Sequence, residues 1–287
     1  MTSTPIALNP ERIRALVTHA LMEDLGDAGD LTSLSVIPDN AIAQVDIVAR
    51  DTGVCAGLDF AEEAFKQLAP SNQVSRFVKD GDPLQPGTKL MHIEGHARSI
   101  LSAERVALNF MGHMSGIASE TAKLVKCISG THAKICDTRK TTPGLRAIEK
   151  YAVRMGGGVN HRFGLYDAIL IKDNHIAVAG SISKALEQAF AYAGHMVQVE
   201  IEVDTLDQLQ EALASGAGVI LLDNMSPEQL SQAVEITNKR AKLEASGRVS
   251  LETVRDIALS GVDYISVGRI THSAPCLDLG LDITINT

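Results

Sequence analysis

Tryptophan is absent from this chain, and only 3% of its residues are aromatic. Surfaces that grip sugars or unstacked bases do so with rings, so carbohydrate and single-strand nucleic-acid binding lose their usual means. A positive excess is missing as well: Lys plus Arg number 26 against 35 Asp plus Glu, a net charge of −9. With no basic stripe outweighing the acids, a nucleic-acid binder is disfavoured. The four cysteines, Cys55, Cys127, Cys136 and Cys276, form no CxxC pair and no zinc spacing with histidine. They read as reduced, small apolar residues of a cytosolic protein. The opening MTSTPIALNP lacks a basic region followed by an apolar core, so no signal peptide is expected. No apolar run approaches the roughly 20 residues of a membrane span. What is present is 287 residues, 45% of them hydrophobic, enough to fill one large or two modest domains.

The first part of the chain predicts a small α+β domain. Ile13, Leu16, Val17, Ala20, Leu21 and Leu25 recur at helical spacing, with Asn9 as candidate N-cap and Pro10 in the first turn. Residues 26–35 read as a loop. Short strands are expected over 43–49, 74–78 and 89–95, a helix over 60–68, and a turn at KDGDPLQPG (79–87). A long helix is expected over 100–128. Its polar or small residues Ser102, Arg105, Asn109, Gly112, His113 and Gly116 share one face. That face is either a solvated stripe, or the side on which Arg105 and Asn109 meet a site or a partner subunit.

From residue 133 the rhythm becomes strand then helix. Strands are expected over 133–137, 168–172, 197–203, 218–223, 241–245 and 264–267. Helices are expected over 145–154, 183–193, 206–214, 227–239 and 251–259, with Thr205, Ser226 and Ser250 as N-caps. Such repeats make a parallel sheet. Every strand ends in polar residues or glycine, which an open sheet does only at its switch point and a barrel does all round. The expectation is an incomplete α/β barrel of about six parallel strands behind an N-terminal α+β sandwich. The boundaries are 1–115 for the sandwich and 116–270 for the barrel, with 271–287 packing back on the first domain.

One stretch organises the chemistry: DTRKTTPGLRAIEKYAVRMGGGVNHRFGLYDAILIKDNH, from Asp137 to His175. It crowds Arg139, Lys140, His161, Arg162 and Lys172 together. Like charges repel, and a buried charge costs several kcal/mol (order of magnitude) unless paired. A polyanionic ligand explains the crowding; a salt-bridge network with Asp137, Asp167 and Asp173 is the alternative. Gly156–Gly158 reads as a bend that brings His161 and Arg162 inward. Glu202 and Asp223 end adjacent strands on one face, suited to Mg²⁺ or sugar hydroxyls, or simply to pairing with Lys140 and Lys172. Ser246, Gly247, Ser266, Val267 and Gly268 end late strands, where backbone N–H groups suit a phosphate.

The segments DTRKTTPGLR, GGGVNHRFGLYDAILIKDNHI, VEIEVD, LLDNM, LEASG and ISVGRITHS together closely resemble the quinolinate phosphoribosyltransferase (decarboxylating nicotinate-nucleotide pyrophosphorylase) family, in order and over nearly the whole chain. Asp173 stands where some members carry Glu. The resemblance implies a cytoplasmic homodimeric pentosyltransferase of NAD biosynthesis, higher oligomers being left open. Its reaction joins quinolinate and phosphoribosyl pyrophosphate into nicotinate mononucleotide, releasing pyrophosphate and CO₂, with Mg²⁺ as cofactor. It implies that Arg105, given across the dimer interface, holds quinolinate with Arg139, His161, Arg162 and Lys172. Phosphoribosyl pyrophosphate falls to Lys140, Glu202, Asp223, Ser246, Gly247, Ser266, Val267 and Gly268, and Thr138 is a further substrate-binding candidate. Lys140, Glu202 and Asp223 are the catalytic candidates. The metal is held mainly by cosubstrate phosphates, with Glu202 and Asp223 as candidate direct ligands. Competing expectations are a related phosphoribosyltransferase acting on another acid, a Schiff-base aldolase using Lys140 or Lys172, and a non-catalytic sensor of phosphorylated ligands.

Overall fold

The structure, a computed structural model, describes residues 7–284. Its chain packs into two compact units.

The first unit takes the described residues up to Glu120, then Ala147–Gly157, then the chain from Ser273. Its antiparallel sheet runs in the order Leu279–Thr284, Ile42–Ala49, Lys89–His96, Gln73–Arg76. Ala43, Val45 and Ile47 alternate with polar residues and are buried, as a half-covered strand requires. The expected first helix spans Pro10–Leu25, and the Asn9 side chain accepts the Glu11 N–H at 2.8 Å. The second expected helix spans Leu58–Leu68. Its first free N–H groups are met from the KDGDPLQPG turn: Asp80 accepts from Gly57 N and Leu58 N at 3.0 and 3.2 Å, and from the Tyr151 hydroxyl at 2.8 Å. Residues 26–35 are not all loop. Leu31–Val36 forms a short helix capped by Asp30, whose carboxylate accepts the Ser33 N–H. Six residues are too few for a period to show.

The long helix spans Ala97–Cys127. Its polar face divides among several tasks. Ser102 donates to Asp30 at 2.9 Å, and His113 Nε2 lies 3.0 Å from the fully buried Glu149. Gly112 and Gly116 are crossed by the chain at 275–277: Leu277 N donates to Gly112 O at 2.9 Å. A Cβ at Gly116 would stand 2.0 Å from the Pro275 carbonyl oxygen. Arg105 and Asn109 are exposed.

The second unit takes Thr121–Arg146 and Gly158–His272. Its barrel strands are Lys134–Cys136, Ile169–Ile171, Val199–Val203, Val219–Asp223, Lys242–Ser246 and Tyr264–Ser266, called first to sixth in chain order. All pair in parallel, in the spatial order first, sixth, fifth, fourth, third, second. The first and second strands thus lie at opposite edges. Gly157, at φ 86°, turns the chain so that Val159 lies beside the first strand; Val159 N donates to Ile135 O at 2.8 Å. The barrel is incomplete, as expected. Ile201, Val203, Ile220, Leu222, Leu243, Ala245 and Ile265 are buried on the outer side, where helices such as Ile182–Tyr192, Leu206–Ala214 and Val254–Leu259 pack. Register puts Glu200, Glu202, Leu221, Asp223, Glu244 and Ser246 on the other face.

Thr205 and Ser226 cap their helices as expected, accepting from Gln208 N and Gln229 N at 3.2 and 3.3 Å. Ser250 does not. Its helix starts at Val254, and Ser250 N instead donates to Thr253 Oγ1 at 3.0 Å. The polar end of the second strand is also more than a loop: Asp173–Ala179 is a helix, with Lys172 N donating to His175 Nδ1 at 2.9 Å.

Replacing Gly116 by Ala drives a methyl group into a backbone carbonyl that cannot rotate away. Gly116→Ala is expected to lower unfolding stability by about 1–3 kcal/mol, the range for overpacking. Urea denaturation with an unchanged m-value checks this.

Candidate active site

A cavity of about 410 Å³ opens at the C-terminal ends of the barrel strands. Its wall includes Thr138, Lys140, Asp223, Ser246, Gly247, Ser266, Val267 and Gly268, eight of the residues singled out from sequence. The first, fourth, fifth and sixth strands supply them. Lys140 is held from both sides of its peptide: Lys140 N donates to Thr138 Oγ1 at 3.0 Å, and its carbonyl accepts from Thr271 Oγ1 at 2.7 Å. The glycines are there for space. Gly247 has φ 103°, and a Cβ on it would lie 2.2 Å from Asn224 Oδ1. A Cβ on Gly268 would press on the Lys140 side chain at 3.1 Å. Sequence reasoning missed Asn224, Arg248, Arg269 and His272 on the same wall. Arg248 directly follows Gly247 in SGR, so its place beside a strand-end glycine was a usable signal. Lys140, Arg248 and Arg269 against a single carboxylate, Asp223, make the cavity cationic, which suits a phosphorylated ligand.

The other predicted cations lie outside that cavity wall. Lys172 forms an ion pair with Glu202, as the pairing alternative had it for this lysine. Arg162 donates from Nη1 to Ala168 O at 2.9 Å, while its Nε is buried without a hydrogen-bond partner. Burial, and then the like charge of Arg139, pull the Arg162 guanidinium pKa below its ordinary value. Two guanidiniums within electrostatic reach, one carrying an orphaned donor, call for an anion between them. Arg162 also borders a hollow of about 850 Å³ with Ile169, Asn174, His175 and Tyr192.

His161 sits over a buried acidic floor. Its backbone N–H donates to Asp137 Oδ1 at 2.9 Å, and Asn160 Nδ2 donates to Asp137 Oδ2 at 2.6 Å. Its Nδ1 accepts from Arg162 N at 2.7 Å. Its Nε2 lies 3.0 Å from Glu200 and 3.6 Å from Glu244, which in turn bonds the Ser266 hydroxyl. Glu200 Oε1 is buried with no partner. The Glu244 carboxyl is pushed up to about 7, first by burial and then by the negative charge of Glu200. Neither glutamate was singled out for a role. The signal was available, because the alternation of VEIEVD puts Glu200 on the same face as Glu202. Both ring nitrogens of His161 therefore have protein partners, and a direct bond from either to a ligand would have to displace one.

His161, Glu200 and Glu244 are also a metal-capable grouping among the described residues, their ligand atoms lying within 4.8 Å of one another. The tautomer speaks against it. A ring whose Nδ1 accepts an N–H carries its own proton on Nε2, the atom a metal would need. Asp223, beside Ser246 and Ser266, is the better fit for Mg²⁺ held mostly by phosphates, since that ion keeps few protein ligands. Arg105, in the first unit, is exposed, and among the described residues it has no ion-pair or hydrogen-bond partner.

Comparison with known proteins agrees with this arrangement. Residues 117–282 match the family described as quinolinate phosphoribosyl transferase, C-terminal domain, and residues 30–115 match its N-terminal domain. The chain belongs to the quinolinate phosphoribosyltransferase family. It is 46% identical to a probable nicotinate-nucleotide pyrophosphorylase [carboxylating] of Bacillus subtilis, over 97% of this chain and 96% of that one. It is 46% identical to the Mycobacterium leprae nicotinate-nucleotide pyrophosphorylase [carboxylating], over 94% and 96% of the two chains. Among solved structures, the nicotinate-nucleotide pyrophosphorylase of Francisella tularensis superposes with a TM-score of 0.92 at 39% identity, covering 99% of this chain and 100% of that one. The family thus accounts for a barrel whose strand ends carry cations.

Gly247→Ala puts a side chain into a left-handed backbone position and against Asn224. Strain of about 1–3 kcal/mol, released only by shifting the cavity wall, is expected to weaken pyrophosphate binding by roughly tenfold or more. Calorimetric titration of the two proteins with pyrophosphate measures it.

Proposed function

We propose that the chain transfers the phosphoribosyl group of phosphoribosyl pyrophosphate to quinolinate, with decarboxylation, yielding nicotinate mononucleotide, pyrophosphate and CO₂. The observation that carries this is the cationic 410 Å³ cavity at the strand ends, with Arg139 and Arg162 as further cations on the same unit. A dicarboxylate acceptor and a triply phosphorylated donor together match that charge. The reading is supported by membership of the family and by the names of its relatives.

The cosubstrate lies in the cavity, its phosphates met by Lys140, Arg248, Arg269 and the amides around Gly247 and Gly268. Quinolinate is held by Arg139 and Arg162 on this unit, with Lys172 nearby in sequence and Arg105 given by the partner subunit of a homodimer. The pyridine nitrogen attacks the anomeric carbon as the bond to pyrophosphate breaks. Asp223 faces the positive charge that develops on the ribose, and Lys140 takes up the negative charge on the departing oxygen. Glu202 does the same as Asp223 only if Lys172 releases it, because the two are paired in the resting chain. The pyridinium then accepts the electron pair of the C2–carboxylate bond, CO₂ departs, and a proton replaces it at C2. Mg²⁺, with Asp223 as its protein ligand, supplies charge neutralisation of the pyrophosphate when bound. His161 acts through its protein partners and not by a ring nitrogen on the substrate. A cytoplasmic setting fits the reduced cysteines, and no helix among the described residues is long and apolar enough to cross a membrane.

Mixing the protein with quinolinate, phosphoribosyl pyrophosphate and Mg²⁺ should release nicotinate mononucleotide and CO₂ in equal amounts; nicotinate mononucleotide made from nicotinate and not from quinolinate would overturn the reading. Lys140→Ala is expected to remove about 3 kcal/mol of transition-state stabilisation, on the order of 10²-fold in kcat. Near wild-type turnover of that variant would refute the role of Lys140. Arg105→Ala and Lys140→Ala should each be slower alone by on the order of 10²-fold and regain activity when subunits are exchanged between them, as one complete site forms per mixed dimer. Failure of the mixture to recover, with exchange shown by native mass spectrometry, argues against a shared site.

A further inference from the structure

We propose that Arg248 determines donor specificity: its guanidinium grips the ester phosphate of the phosphoribosyl donor, the phosphate that does not leave, and a strained backbone puts it there. The identity of the donor rests on the proposed function; the placement rests on the turn after the fifth strand. Arg248 has φ 48° and directly follows Gly247 at φ 103°. Glycine enters this left-handed region freely. A residue with a Cβ is crowded there, and arginine lacks the short polar side chain that lets asparagine tolerate it. Of the other described non-glycine residues with positive φ, Asn224 and Asn238 are of the tolerant type, and Lys239 follows the C-cap of the helix Pro227–Thr237. Arg248 is the long side chain among them that lines the strand-end cavity.

The turn is pinned on both sides. Ser246 O accepts the Asn224 N–H at 2.9 Å, and Val249 is buried. A glycine at 248 would follow the same path without crowding. Strain kept where a less crowded residue fits points to a use for the side chain. That side chain is available: Arg248 is exposed and, among the described residues, makes no hydrogen bond or ion pair. Arg269, by contrast, has the Glu252 carboxylate within electrostatic reach. Position in the sheet selects the phosphate. The spatial order is first, sixth, fifth, fourth, so the backbones that carry Lys140 and Arg248 stand two strand spacings apart, about 10 Å. Lys140 lies against Gly268 after the sixth strand, whereas Gly247 lies against Asn224 after the fourth. A donor with phosphate at both ends of a ribose matches two cations set apart in this way. Lys140 takes the departing end, which leaves the ester phosphate to Arg248. That phosphate keeps its charge throughout the transfer, so gripping it strengthens donor and transition state equally.

Arg248→Gly and Arg248→Ala both remove the guanidinium, but only glycine relieves the backbone. In calorimetric titrations of the full chain, both should bind ribose 5-phosphate about tenfold more weakly than the wild type, the loss of one exposed charge-assisted contact. Both should raise KM for phosphoribosyl pyrophosphate by a similar factor, with the loss in KM and not in kcat; Lys140→Ala loses kcat instead. The urea midpoint of Arg248→Gly should stand above that of Arg248→Ala, because the methyl group keeps the left-handed crowding. A wild type that does not bind ribose 5-phosphate overturns the proposal, as does a glycine variant that binds it as tightly as the wild type. So does pyrophosphate binding that falls more than ribose 5-phosphate binding, or a fall in kcat with KM held. An alanine variant as stable as the glycine variant overturns the strained placement. Titrations and midpoints need no turnover, so a protein inactive with quinolinate would sink the proposed function while these still decide Arg248.

Discussion

Putting carboxylates inside a parallel barrel is the constraint that shapes this molecule. The third and fifth strands direct Glu200, Glu202 and Glu244 to the inner face, while their alternate residues are apolar and meet the helices outside. Interior charge must be answered locally, and it is. Lys172 answers Glu202, the His161 ring answers Glu200, and Ser266 together with a raised pKa answers Glu244. Each answer fixes a side chain at or near the strand ends. Order at the strand ends is therefore inherited from the electrostatics beneath them.

The cavity above follows from the same logic with the sign reversed. Lys140, Arg248 and Arg269 share a wall with only Asp223 to balance them, so the cavity carries a positive excess that suits a phosphorylated ligand. Space is provided by glycines at 247 and 268, each hemmed by a neighbouring side chain. The binding surface is thus largely backbone and cation, which explains why a chain almost without aromatic rings can still hold a nucleotide precursor.

Much of this could be read in the residues beforehand. Six β-α repeats with polar strand ends were enough for an incomplete barrel, since periodicity reports burial on both faces directly. The phosphate wall was legible for the same reason: Ser246, Gly247 and Ser266 to Gly268 sit at fixed offsets from apolar runs. What escaped was whatever depends on partners distant in sequence. Glu244 looks like an ordinary strand residue until the barrel brings it to His161, and the alternation that puts Glu200 on the face of Glu202 does not name its partner. The pairing of Lys172 with Glu202 was one of two readings, and no spacing could choose between them. Short helices at Leu31–Val36 and Asp173–Ala179 carry too few residues for a period. The glycines of the long helix passed for a polar stripe because their neighbour, the chain at 275–277, lies some 160 residues away in sequence.

The edge strand Leu279–Thr284 completes the antiparallel sheet by pairing with Ile42–Ala49. That sheet therefore needs residues 279–284 to cover the backbone of residues 44–49, more than 200 residues earlier. During synthesis, the edge of Ile42–Ala49 stays unpaired through translation of the whole barrel, a template open to other nascent chains. The barrel unit, by contrast, ends at His272 and can close earlier. Assembly on the ribosome is thus expected to run from the later unit to the earlier one, against the order of the gene.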